Sequence, residues 1–201
     1  MKLYCFPRSG NSREVRIVLA EKGIMPEKIN VHAPDFNKED PDFKKASPGG
    51  KVPAIIDGDV YLSEAYKINE YLEDKYPQNP LLPKSPEERK KIHDWVALYD
   101  KKLVLKIGLL LIECVLKPKD QQKEETKQKL RQEILGALKE IETLLTGKEY
   151  LFGAYSLADI SLIPHLAVLP RLGVELDESY PQLKSWLERM KQRPSFSASA
   201  D

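Results

Sequence analysis

An α/β domain followed by an all-α domain is the fold class this sequence predicts, on three observations. Residues 1–76 alternate short apolar runs of strand length with amphipathic helical stretches. Pro77, Pro80, Pro83 and Pro86 then exclude a continuous helix. Beyond them the patterned stretches all have a helical period. The predicted boundaries are therefore 1–76 for the first domain, 77–86 for a Pro-rich linker and 87–201 for the helical domain.

The elements of the first domain follow in order. Lys2 to Phe6 is a candidate strand ended by Pro7. Ser9-Gly10-Asn11-Ser12 supplies turn and cap residues, with Ser12 read as the cap, before a helix on which Val15, Val18 and Leu19 share a face. Gly23 closes that helix, and Glu27 to Val31 is the second strand. The result is a βαβ unit with an expected parallel pair and right-handed crossover. The polar stretch from Asp35 to Ala46 carries Lys38 and Pro41. In SPGGKVPAIIDGDVYLSEAYKINEYL, Ser47 to Leu72, two apolar runs flank Asp57-Gly58-Asp59 as a hairpin, and Ser63-Glu64 begins a helix that buries Ala65, Ile68 and Leu72. The domain order is β-α-β-α-β-β-α.

In the second domain Ser85 caps a long helix with Pro86 in its first position, running towards Lys117 and ended by Pro118. Its apolar part, Leu103 to Leu116, is broken by Lys106 and Glu113 and is shorter than the roughly 20 residues a membrane span requires. A buried helix is expected there. A second helix, Asp120 to Leu145, places Leu130, Ile134, Leu138, Ile141 and Leu145 on one stripe. Ser156-Leu157-Ala158-Asp159 has the spacing of a capping box, Ser156 accepting from the Asp159 N–H and the Asp159 carboxylate reaching back, so both residues are assigned to the fold and not to chemistry. A last helix from Pro181 to Gln192 precedes Arg193-Pro194 and a short polar tail.

Composition narrows the function classes. Thirty-two basic residues against thirty-one acidic leave a formal charge of +1, so no nucleic-acid or membrane partner is expected. The Lys/Glu-rich stretch from Lys117 to Arg131 alternates in sign and reads as a solvated face. Cys5 and Cys114 make no disulfide framework, which suits a reducing cytoplasm, and the start MKLYCFPRSG has no apolar signal core. His32, His93 and His165 are scattered, and no metal site is expected.

Two features of Ser47 to Leu72 point to binding. Pro53 opens a strand, where a cis X-Pro bond lies only about 0.5–1 kcal/mol above trans, and Val52 before it is placed to pair its backbone with an extended peptide. A dozen residues on, Glu64 stands at a helix start whose free N–H groups suit a carboxylate while its own side chain suits an ammonium. One ligand end with both groups is an α-amino acid.

With that spacing the chain resembles the cytosolic-type glutathione transferases of the serine-type theta, phi and zeta branch, over essentially its whole length. The resemblance implies a thioredoxin-like N-terminal domain, an all-helical C-terminal domain, a cytoplasmic homodimer, and glutathione as co-substrate with no metal. By the same resemblance Ser9 donates its hydroxyl to the glutathione sulfur, with Asn11 and Ser12 as alternative donors. Lys38 and Lys51 meet the glycine carboxylate, Val52 and Pro53 the cysteinyl backbone, and Glu64 and Ala65 the γ-glutamyl end. The family pattern has Ser where this chain has Ala65. An electrophilic hydrophobic substrate is implied near Arg8 and Tyr99.

A second resemblance points elsewhere. VRIVLAEKGI and SLADISLIPHLAVLPRLGVEL are similar to stringent starvation protein A, which implies a catalytically weak regulator acting on a protein partner such as RNA polymerase. The Pro-His-Pro motif of that regulator is Pro77-Gln78-Asn79 here. A maleylacetoacetate isomerase would have Ser-Ser-Cys where this chain has Arg8-Ser9-Gly10-Asn11.

Overall fold

A βαβ unit opens the chain in the computed structural model, which describes residues 1–31 and 40–200: β1 (Lys2–Cys5), α1 (Gly10–Glu21) and β2 (Glu27–Asn30), the strands parallel. α1 ends because Gly23 takes φ +66°, which lets the Ile24 N–H reach back to the Leu19 carbonyl at 2.8 Å. Next come α2 (Pro41–Ala46), the hairpin β3 (Ala54–Asp57) and β4 (Val60–Ser63), and α3 (Ala65–Lys75). The sheet order is β2-β1-β3-β4, with β3 antiparallel to both neighbours.

Both faces of this sheet are covered. Tyr4 and Ala54, opposite in register, pack with Phe43 and Ala46 of α2, the Tyr4 and Phe43 rings 5.1 Å apart. Leu3 and Ile55, one step along, point to the other face. There α1 packs on α3, and Val15, Val18, Ile68 and Leu72 are fully buried. Each large side chain so removed from water contributes roughly 1.5–3 kcal/mol.

The first compact unit runs past the predicted boundary to Leu82. Lys22 Nζ lies 2.6 Å from Glu73 Oε2, both side chains buried, and Lys22 also donates to the Tyr76 and Gln78 carbonyls. Glu73 in turn accepts from the N–H groups of Leu81 and Leu82. The ion pair thus ties the Pro-rich stretch to α1 and α3. Residues from Lys191 on also belong to this unit. The stretch expected as a polar tail is a helix, α9 (Pro194–Ala198), packed on α1. Five residues are too few to show a hydrophobic period, which is why the sequence hides it.

The second unit is Pro83–Met190. Ser85 Oγ accepts from the Glu88 N–H and starts α4 (Pro86–Tyr99). The helix continues through a π segment (Asp100–Val104), α5 (Leu105–Leu111) and a second π segment (Ile112–Leu116). Leu103, Ile107 and Leu110 are buried, but Leu98, Leu105, Leu109, Ile112 and Leu116 are 42–66% exposed. The stretch is therefore not the wholly buried helix predicted, because packing against α6 (Glu124–Leu144) hides one stripe only. α6 starts later than the predicted Asp120, since Lys119–Gln121 forms a 3-10 turn and Glu113 takes the Lys123 N–H. α7 (Leu157–Leu166) and α8 (Pro181–Lys191) complete the order. The first turn of α8 is capped from α6, the Gln182 and Leu183 N–H groups donating to Glu142 at 3.0 and 2.7 Å. Among the described residues no helix is long and apolar enough to cross a membrane.

The start of α7 is closed around Asp159. Its carboxylate accepts from the Ser156 N–H at 3.0 Å, Ser156 Oγ at 3.2 Å, the Leu151 N–H at 3.0 Å and Trp186 Nε1 at 2.9 Å. Burial pushes the carboxyl above its usual range against the pull of these donors. Ser156 Oγ accepts from the Asp159 N–H as the spacing predicts, completing the capping box, and also from the Ala158 N–H at 3.3 Å.

Candidate functional site

Strand register brings three separate stretches to one end of the sheet. Tyr4 pairs with Ala54, and Ala54 with Ser63. The loop leaving β1, the Val52-Pro53 pair entering β3 and Glu64 leaving β4 are therefore neighbours. They lie at the C-terminal end of β1, where open α/β sheets take ligands.

Ser9 occupies this end as the N-cap of α1. Its Oγ accepts from the Ser12 N–H at 3.2 Å, its N–H donates to the Phe6 carbonyl at 3.0 Å, and its carbonyl accepts from the Arg13 N–H at 3.0 Å. This corrects the reading of Ser12 as the cap. Ser12 is fully buried, and its Oγ accepts from the Phe6 N–H at 3.3 Å. A capping hydroxyl that accepts one backbone bond keeps its own hydrogen to give, and Ser9 is half-buried at the positive end of a helix. The sequence offered no sign of Arg16, whose guanidinium donates to the Pro7 carbonyl at 3.0 Å and fixes the approach to Ser9. Asn11 is exposed.

Other hydroxyls are engaged elsewhere. Tyr4 donates to Asp40 Oδ2 at 3.1 Å, and its phenol is pushed up to about 12 by burial and then by that carboxylate. Tyr99, in the second unit, donates to Glu140 at 3.1 Å and stacks on Trp95 at 4.3 Å. Burial, with Glu140, likewise pushes it up to about 12. Arg8 is an exposed residue of the first unit. Cys5 is buried, its Sγ donating to Asn30 Oδ1 at 3.6 Å.

Val52 precedes the β3 ladder, and the Val52–Pro53 peptide is cis. The turn before it is built by Ser47, whose Oγ accepts from the Lys51 N–H at 2.9 Å and donates to the Lys51 carbonyl at 2.8 Å. Gly50 closes that turn at φ +64°. The Lys51 side chain is exposed, and Lys38 lies outside the described residues. Ser47 was legible in principle as the first residue of a Ser-Pro-Gly-Gly turn.

The start of α3 is open. Glu64 stands before it at φ +75°, a conformation that costs a non-glycine residue about 1–3 kcal/mol, and its side chain caps none of the first N–H groups. Its carboxylate is 66% exposed and accepts from Lys67 Nζ at 2.8 Å. Ala65 is buried beside it. An exposed carboxylate thus stands beside helix N–H groups that its own side chain does not cap, residue types that suit an ammonium and a carboxylate on one carbon.

Comparison with known proteins bears on the family and the fold. Family models described as the glutathione S-transferase N-terminal and C-terminal domains match residues 3–80 and 103–194. The chain is 32% identical to glutathione S-transferase Z1 of Arabidopsis thaliana, over 98% of this chain and 89% of that protein. It is 29% identical to a stringent starvation protein A homolog of Coxiella burnetii, over 99% and 90%. Among solved structures it is similar to a maleyl pyruvate isomerase titled a bacterial glutathione S-transferase in zeta class. That structure superposes with a TM-score of 0.81 at 27% identity, covering 100% of this chain and 96% of the other.

Proposed function

The chain belongs to the glutathione S-transferase family, and on that premise we propose that it joins the glutathione thiolate to an electrophilic carbon of a small hydrophobic molecule. The observation that carries this reading is the meeting of the Ser9 cap, the Val52-Pro53 entry and the open start of α3 at one end of the sheet. In this reading Glu64 holds the γ-glutamyl ammonium, the Ala65 N–H and the helix end hold its carboxylate, and the backbone of Val52, set by Pro53, pairs with the cysteinyl residue. Lys51 meets the glycine carboxylate, and Arg8 of the same unit meets the second substrate.

Ser9 donates to the sulfur as a thiolate stabiliser. Lowering a thiol pKa from about 8.5 by roughly two units takes about 2.7 kcal/mol. A hydrogen bond to a charged acceptor supplies about 1.5–3 kcal/mol, and a helix N-terminus adds about 0.3–1 kcal/mol. In the reaction a C–S bond forms as the leaving group departs with its electron pair; the protein's part is to keep the sulfur unprotonated. Retention on immobilised glutathione, followed by turnover of a panel of electrophiles, tests the reading. A chain that neither binds the column nor turns over any of them sinks it.

A second reading is a regulator of the stringent starvation protein A kind that acts on a protein partner such as RNA polymerase. It is favoured by the missing hydroxyl at Ala65 and by the likeness to the Coxiella protein. Loss of glutathione binding with capture of purified RNA polymerase would select it. For either reading the apolar stripe of Leu98, Leu105, Leu109, Ile112 and Leu116 supports a homodimer, and sedimentation at micromolar concentration giving only 23.0 kDa would refute one. The free thiols of Cys5 and Cys114 fit a cytoplasmic setting.

A further inference from the structure

We infer that α9 is a clamp that holds α1 in the position from which Ser9 serves the thiolate, with Arg13 as the positioning residue; the inference rests on the glutathione reading above. Arg13 lies one turn from Ser9, whose carbonyl its N–H occupies. Its side chain turns away to the C-terminal segment, where Nε donates to Ser199 Oγ at 3.1 Å and a terminal nitrogen donates to the Phe196 carbonyl at 3.0 Å. The guanidinium carbon also sits 3.9 Å from the centre of the Phe196 ring. At the far end of α1, Glu21 accepts two bonds from Arg193, at 2.9 and 3.1 Å, and one from Ser195 Oγ.

The two grips are eight residues apart on α1, about 12 Å at 1.5 Å per residue. One grip would leave a pivot, whereas two fix both the rotation and the axial position of the helix. A five-residue helix has no stability of its own, so α9 owes its order to these contacts. Ser195 and Ser199 are buried; Ser195 gives its hydroxyl to Glu21, and Ser199 Oγ accepts from Arg13 while donating to the Phe196 carbonyl at 2.7 Å within α9, so both grips are hydrogen-bonded and not mere space-filling. Ser9 is the residue with most to lose. A hydrogen bond to a thiolate weakens steeply with angle, and the direction of the hydroxyl is set by the Ser12 N–H of the helix being held.

The test is the pKa of glutathione thiol bound to the full-length protein, read from thiolate absorbance against pH in wild type, Ser9→Ala, Arg13→Ala, Arg13→Lys and Ser199→Ala. Arg13→Ala is expected to raise it by about half to one unit, which from a value near 6.5 is roughly 1.5- to threefold less thiolate at pH 7, with the glutathione KM within about twofold. Arg13→Lys keeps a cation on the Phe196 ring and should recover about half of the shift. Ser199→Ala should move it less and in the same direction, and it carries the test with Arg13→Lys if Arg13→Ala does not fold. A thiol pKa that Ser9→Ala raises and the other variants leave alone overturns the clamp, even if they melt earlier. A thiol pKa that Ser9→Ala does not move overturns the Ser9 assignment and the clamp together.

Discussion

At the start of α7 four donors close on the Asp159 carboxylate, while at the start of α3 the side chain of Glu64 takes none of the helix N–H groups and points to solvent. Both are helix N-termini with the same unpaired donors and the same favourable field for an anion. The closed one has its anion built in and buried, so its free energy goes into folding. The open one follows a residue at strained φ, and the carboxylate beside it stays exposed and caps none of its N–H groups. The difference teaches that an anion site and a folding motif are one piece of chemistry, separated by where the carboxylate comes from.

The sharpest way to break this contrast is Asp159→Ala. It strands two buried N–H groups and the Trp186 indole N–H, each about 1–3 kcal/mol, so a loss of at least about 3 kcal/mol by denaturant unfolding is expected, with activity per folded molecule retained. An unchanged stability with abolished turnover would make Asp159 part of the chemistry.

Acid tests the same helix through His165, pushed down to about 4 by burial, with the Asp100 carboxylate pulling the other way. The unfolded chain takes this proton near 6.5 and the folded chain only near 4, so the contribution is complete above 6.5 and is lost as pH falls to 4. The loss amounts to about 3 kcal/mol at most. Asp159 and Asp100 are displaced upward, and their contributions have the opposite sign, growing as pH falls. A His165→Gln variant should flatten the decline of unfolding free energy over this range; an equally steep decline would assign it to other groups.

The open side is sharpened by Ser9→Ala, expected to raise the bound thiol pKa by about one to two units, roughly 1.4–2.7 kcal/mol. Thiolate absorbance at neutral pH should fall while glutathione affinity changes little; an unaffected thiolate would pass the role to Asn11, since Ser12 is fully buried. The smallest effect is expected where the chain departs from its family. Ala65→Ser adds one donor beside the open N-terminus and should tighten glutathione binding by roughly three- to thirtyfold, about 0.7–2 kcal/mol, as calorimetry would read. Tight wild-type binding that the hydroxyl does not improve would mean the carboxylate is held elsewhere.

Much of both helix ends was legible in the sequence because their chemistry is local. Ser85-Pro86, Ser156 to Asp159, Gly23 and the Asp57-Gly58-Asp59 hairpin each act over a few residues, a range at which spacing in the chain is spacing in space. The same locality made Pro53 and Glu64 stand out. What it does not reach is the partner far along the chain. Trp186 meets Asp159 from 27 residues away, Ser199 meets Arg13 from 186, and Glu142 caps α8 from 40. No period or motif announces such pairs, since each is one bond between segments brought together by packing. Even the choice between Ser9 and Ser12 was a tertiary one, decided when the Phe6 N–H at the end of β1 took the Ser12 hydroxyl and left Ser9 to cap. The sequence by itself thus determined the helices, the strands and the residue types at the site. Which serine caps α1, and what packs against that helix, was decided by strand register and by the return of the C-terminal segment to α1, because those depend on the whole first unit closing at once.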